Sequence, residues 1–111
     1  MKTIKIIFTL VILFIISNCA SAQNDTVRIK TSAVCEQCKE KIENDLSFEK
    51  GIKSNRLDLK TKIVTVIYNP KKTDPQNIRE AITRIGYDAD SLKADLKSYN
   101  KLPDCCKQPG K

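Results

Sequence analysis

Hydrophobic and polar residues alternate from Val27 onward: Val27, Ile29 and Thr31 are interleaved with Arg28 and Lys30, a period of two that predicts a half-buried strand. Past Cys38 the period lengthens, and Ile42 and Leu46 recur at helical spacing. Gly51 is placed to close that helix, because glycine enters the left-handed region without a Cβ penalty. Ile52 to Leu59 and Ile63 to Tyr68 read as two strands joined by the polar stretch Lys60-Thr61-Lys62. The second is the stronger, since every residue from Ile63 to Tyr68 is β-branched or aromatic. Asn69-Pro70 ends it, and Asp74-Pro75 opens a helix with a capping residue followed by proline in the first turn. Ile78, Ala81, Ile82 and Ile85 then form one apolar face, and Gly86 stops the helix.

The order is β-α-β-β-α, with a short final strand expected from near Tyr87. It predicts an α+β, ferredoxin-like βαββαβ sandwich, two helices lying on one face of a four-stranded antiparallel sheet. Beyond Asp90, Leu92, Leu96 and Tyr99 return to helical spacing, so a small extra helix is expected before Pro103. Tyr68 and Tyr87 read as strand aromatics at the edge of the core. A domain of this size buries about 60% of its unfolded surface and has little room for an internal cavity, which argues against an enzyme acting on a large substrate.

The first 22 residues belong to a different pattern. Lys2 and Lys5 precede an apolar run, Ile6 to Ile16, broken only by Thr9, and Ala20-Ser21-Ala22 follows as a small-residue cleavage pattern. The run is shorter than the roughly 20 residues a spanning helix needs. Residues 1–22 are therefore read as a signal peptide and the protein as exported, with the periplasm as the expected compartment. Lipid anchoring through Cys19 is the alternative, although Asn18 occupies a place where such a signal usually has a small residue. Residues 27–90 form the expected domain, and residues 91–111 a helix and cysteine-containing tail.

The whole chain has 111 residues, 20 basic and 13 acidic, for a formal charge of +7. Its basic residues are interspersed with acids and form no stripe with aromatics, so nucleic acid is not an expected partner. An acidic partner suits the charge better. The chain has no histidine and no tryptophan. That excludes a histidine general base, a Ser-His-Asp triad and a Cys₂His₂ zinc site. Five cysteines in so short a chain make sulfur the place to look for chemistry.

Cys35-Glu36-Gln37-Cys38 falls between the first strand and the first helix. Two thiols three residues apart at a helix start converge on one point, where unpaired N–H groups and the helix dipole favour thiolate over thiol. Two thiolates without imidazole or carboxylate suit soft ions of low coordination number, monovalent copper above all. Zinc prefers four ligands, and this loop offers two. A disulfide staple is the structural alternative, but a bridge across three residues closes almost no chain and stabilises little.

These residues resemble the heavy-metal-associated domain family of copper chaperones, metal-pumping ATPases and periplasmic mercury-binding proteins. The resemblance runs from about Val27 to Asp90 and rests on Cys35-x-x-Cys38, Gly51-Ile52, Val64-Thr65-Val66 with Tyr68-Asn69-Pro70, and Ala81-Ile82 through Gly86-Tyr87. It implies that Cys35 and Cys38 bind metal in a surface loop with Tyr87 packed nearby. Mercury(II), which two thiolates suit equally well, is the second candidate ion. Ser32-Ala33 replaces the family's usual Gly-Met, leaving a smaller plug beneath the loop, and Asn55 stands where an apolar residue is common.

Cys105 and Cys106 lie outside the region of resemblance. Folded back, they would add sulfurs to Cys35 and Cys38 or capture metal themselves, and four sulfurs would admit zinc(II) or cadmium(II). Alternatively they are unrelated thiols, or form a cross-strapping disulfide such as Cys105 to Cys38. The leading functional expectation is a non-enzymatic carrier that passes its ion by ligand exchange to a thiol-bearing metal-transport partner such as a membrane pump. The rival is a thiol-disulfide oxidoreductase using Cys35 as nucleophile. A regulatory module for a metal pump is a third.

Overall fold

The computed structural model describes residues 23–107. The signal reading of residues 1–22 and Cys19 lie outside the described residues. Strands β1 (Asp25–Lys30), β2 (Ile52–Asp58) and β3 (Ile63–Tyr68) form an antiparallel sheet in the order β1-β3-β2. Helices α1 (Glu36–Ser47) and α2 (Pro75–Ile85) carry the two long apolar stripes. A short helix α3 (Leu96–Asn100) and a 3₁₀ turn (Asp104–Cys106) follow. No helix among the described residues is long and apolar enough to cross a membrane.

The central strand explains the layering. Val66 pairs with Val27 on one side and Asn55 on the other, and Val64 pairs with Ile29 and Leu57. These rows share one face, because side chains two apart in a strand point the same way. Ile29, Leu57, Val64 and Val66 are buried there against Ile42 and Leu46 of α1 and Ile78 and Ile82 of α2. Ile63, Thr65 and Ile67 take the other face, and Ile67 is exposed. The apolar run of β3 therefore has one covered side only.

Local signals act as their chemistry requires. Asp74 caps α2 by accepting the Asn77 N–H at 2.7 Å, and Pro75 occupies the first turn. Gly86 ends α2 at φ +121°. The α1 terminus differs from expectation. The helix stops at Ser47 with Phe48 as its C-cap, and Gly51 (φ +83°) instead makes the turn into β2. A Cβ at Gly51 would sit 2.9 Å from Thr73 Cγ2, so close approach as well as φ requires glycine.

The sheet has three strands where four were expected. After α2 the chain returns beside β1, but the pairing shrinks to a single bridge between Thr31 and Ala89. At the next residue, Asp90 turns into the left-handed region at φ +52°, and its carboxylate takes the Lys30 N–H at 2.9 Å. A side chain thus occupies the hydrogen-bonding position a continuing strand would fill.

The tail is docked. Asp95 caps α3, accepting the Ser98 N–H at 3.1 Å, while its own N–H donates to Thr83 O at 3.0 Å. Leu92 lies ahead of the helix and Leu96 is 72% exposed, so the expected apolar stripe is not the packed one. Leu102 provides the anchor instead, buried in the core, with Tyr99 partly buried beside it.

Candidate metal centre

The loop between β1 and α1 is held from both sides. The N–H and hydroxyl of Thr31 both donate to Lys62 O at 2.8 Å, and Ser32 Oγ accepts the Asp88 N–H at 2.9 Å. Ala33 is fully buried under the loop, a smaller plug than methionine but a closed one. Cys35 is the N-cap of α1, extended (φ −145°, ψ 170°), with no capping bond from its side chain. Its sulfur is therefore not used by the helix. Cys38, in the first turn, lies one turn before Ile42 on the stripe that faces the core, and is fully buried.

Four sulfurs meet at this point. Cys35 Sγ lies 3.1 Å from Cys38 Sγ, 2.9 Å from Cys105 Sγ and 3.4 Å from Cys106 Sγ. Cys105 and Cys106 are 3.9 Å apart. The sulfurs of Cys35, Cys105 and Cys106 all lie within 4.8 Å of one another, as an ion-holding group requires. All four are free thiols, so the expected alternative of a disulfide from Cys105 to Cys38 is not formed. Cys35 is half-buried and Cys106 buried, whereas Cys105 is exposed and donates its S–H to Gln37 Oε1 at 3.2 Å. Of the pair expected in a surface loop, Cys38 is thus buried and Cys35 half-buried, and the tail supplies the exposed sulfur.

Tyr87 closes the floor. It is fully buried, not in a strand, and its hydroxyl has no hydrogen-bond partner. Burial, then the neighbouring Cys106 and Cys38 thiols, push its titration far above the ordinary phenol range. Burial also raises the Cys106 thiol, reinforced by Cys38. A bound cation would favour the thiolates and give the orphaned hydroxyl an acceptor.

The pattern of the heavy-metal-associated domain matches residues 29–88. The chain belongs to the heavy-metal-associated domain family. It is 40% identical over 63 residues to "Copper-transporting ATPase 1" of Rattus norvegicus, a match spanning 57% of this chain and only 4% of the ATPase. It is 37% identical over 54 residues to "Copper chaperone CopZ" of Staphylococcus epidermidis, covering 49% of this chain and 79% of that protein. The solved "CopZ metallochaperone" superposes with a TM-score of 0.56 at 26% identity, over 59% of this chain and 98% of that one. Oxidised MerP from Ralstonia metallidurans CH34 shares the fold, with a TM-score of 0.58 at 20% identity over 61% of this chain and 96% of that one.

The family match includes Cys35 and Cys38 and ends before the tail. Sequence reasoning singled out all four cysteines but missed two residues that arrange them. Gln37, to which the motif gives no role, holds Cys105, and Leu102, an isolated apolar residue before Pro103, anchors the segment that delivers the tail pair.

Proposed function

We propose that the protein is an exported, non-enzymatic carrier of a soft metal ion, Cu(I) or an ion of similar chemistry such as Hg(II), held by Cys35 and Cys38. One observation carries the reading: two sulfurs 3.1 Å apart at the uncapped N-terminus of α1. Cys35 begins α1 without spending its sulfur on capping the helix, and thiolate is the ligand soft ions select. The names of the relatives, a copper chaperone and a copper-transporting ATPase, support copper as cargo. Mercury is the second candidate because two thiolates suit its linear coordination equally well. Export rests on the pattern of Met1 to Ala22.

Delivery follows from the ligands. An incoming thiolate from a membrane metal pump adds to the ion as one of the protein's sulfurs leaves, so no bare ion is released. The oxidoreductase alternative has no support from the relatives.

The test is retention of Cu(I) by reduced protein against a chromophoric copper chelator. The wild-type chain should hold one equivalent, and Cys35→Ser/Cys38→Ser should lose at least about a thousandfold in affinity, since both soft ligands are gone. Equal retention by the two would overturn the reading.

A further inference from the structure

We infer that Cys105 and Cys106 complete Cys35 and Cys38 into one four-sulfur centre that takes a divalent, tetrahedral ion of the zinc class, so that the site has a closed coordination state beyond the two-sulfur one. This rests on the metal-binding reading of Cys35 and Cys38 and adds to it a second class of cargo.

The distances argue for closure. Thiolates about 2.3 Å from a tetrahedral ion stand about 3.8 Å apart, whereas two sulfurs at that bond length on a linear ion stand about 4.6 Å apart. The sulfurs of Cys35, Cys105 and Cys106 stand 2.9 to 3.9 Å apart and form a mutually close trio, and that of Cys38, outside the trio, lies 3.1 Å from Cys35. Three sulfurs are already gathered as one face of a polyhedron, and Cys38, next to Cys35, is the sulfur that would swing in to complete the fourth corner around an ion. The cluster is also built from outside: Leu102 is buried, Asp95 is tied to α2, and Gln37 holds the Cys105 thiol. A loose tail would need none of these.

The second, independent observation is the buried Tyr87 hydroxyl with no partner beside Cys38 and Cys106. A buried donor without an acceptor is costly, and a sulfur made anionic by a metal is the acceptor this place lacks. Binding is proton-balanced: each of the four thiols releases its proton to solvent as its sulfur joins the divalent ion, leaving a complex of net charge −2. Cys105, exposed where Cys38 and Cys106 are buried, is the sulfur that an incoming ligand displaces first.

Co(II) is the probe, because four-thiolate tetrahedral coordination gives it intense visible absorption. Reduced full chain should bind one Co(II) with that spectrum, and Zn(II) should displace it stoichiometrically. Cys105→Ser/Cys106→Ser should lose the four-thiolate spectrum and more than about 100-fold in Zn(II) affinity, while keeping Cu(I) through Cys35 and Cys38. Cys105→Ser alone, at an exposed position that leaves the core intact, should shift the Co(II) bands toward a three-sulfur spectrum. Identical Co(II) spectra and Zn(II) affinities for wild type and the tail variants, with Cu(I) binding intact, overturn the inference alone. Failure of the wild-type chain to outbind Cys35→Ser/Cys38→Ser for Cu(I) overturns the carrier reading instead.

Discussion

Asp90 and Lys30 bond twice: the Asp90 N–H donates to Lys30 O at 2.8 Å, and the Lys30 N–H donates to Asp90 Oδ1 at 2.9 Å. The second carboxylate oxygen accepts from Arg79 Nε at 2.8 Å, so one side chain ties β1 to α2 where a fourth strand would otherwise continue.

Burial alone would raise the Asp90 carboxyl, but the Arg79 guanidinium and the Lys30 N–H outweigh it and hold it below the usual carboxylate range. A depressed carboxyl stabilises the fold above its unfolded value near pH 4, and that contribution is lost as pH falls through the folded value. Asp90→Ala should therefore cost about 1 kcal/mol at pH 7, a figure kept small because both partners are about a third exposed. The gap between variant and wild type should close below about pH 4. Urea denaturation of reduced, metal-free protein at pH 7 and pH 3 checks both, and a gap unchanged at pH 3 would count against the ion pair.

Asn55 stands in the core-facing row of β2, opposite Val66. Its Nδ2 donates to Glu43 O at 3.2 Å, but its Oδ1 is buried with no partner. Asn55→Leu removes the orphaned oxygen, and the Glu43 side chain still ties α1 to β2 by accepting the Leu57 N–H at 2.9 Å. The variant should be as stable as wild type or up to about 1 kcal/mol more so. A loss of stability in the same denaturation assay would mean that the bond to Glu43 O outweighs the orphaned oxygen.

Much of this architecture was legible from local pattern. Ile63 to Tyr68 is a strand over those same residues, Asp74-Pro75 caps where expected, and Cys35 and Cys38 sit at the strand-to-helix junction that gives their spacing meaning. The missing strand was not legible, because it depends on Asp90 reaching across 60 positions to Lys30, which no periodicity encodes. The short helix before Pro103 is there, but its buried face was not legible for a related reason. Leu96 fits a helical stripe but a five-residue helix has too few turns to choose its own buried face, so the fit of Leu102 beside Gly86 decided it. The meeting of Cys105 with Cys35 spans 70 positions and likewise has no local signal.

Tyr87→Phe separates the hydroxyl from the ring. The ring fills the core, so its retention keeps the packing, and deleting an unpartnered buried hydroxyl should leave metal-free stability unchanged or raise it by up to about 1 kcal/mol. Zn(II) affinity should fall by roughly 10-fold, the effect of losing a donor to a ligating sulfur. Competition with a zinc chelator measures the affinity and denaturation the stability. Unchanged affinity would remove the hydroxyl from the centre.

Gly86 couples the end of α2 to the tail. Its φ of +121° disfavours any side chain, and a Cβ there would lie 3.0 Å from Ser98 O and 3.2 Å from Leu102 Cδ2, the carbonyl and the anchor of the strap that carries Cys105 and Cys106. Gly86→Ala leaves all four cysteines in place yet pushes the strap away. It should cost more than about 1 kcal/mol in metal-free stability, since alanine cannot adopt this backbone without strain. Its effect on metal should be selective. The four-thiolate Co(II) absorption should weaken toward that of Cys105→Ser/Cys106→Ser, whereas Cu(I) retention by Cys35 and Cys38, positioned by β1 and α1, should stay within a few-fold of wild type. A variant that loses both ions equally would place Gly86 in overall folding rather than in docking the tail.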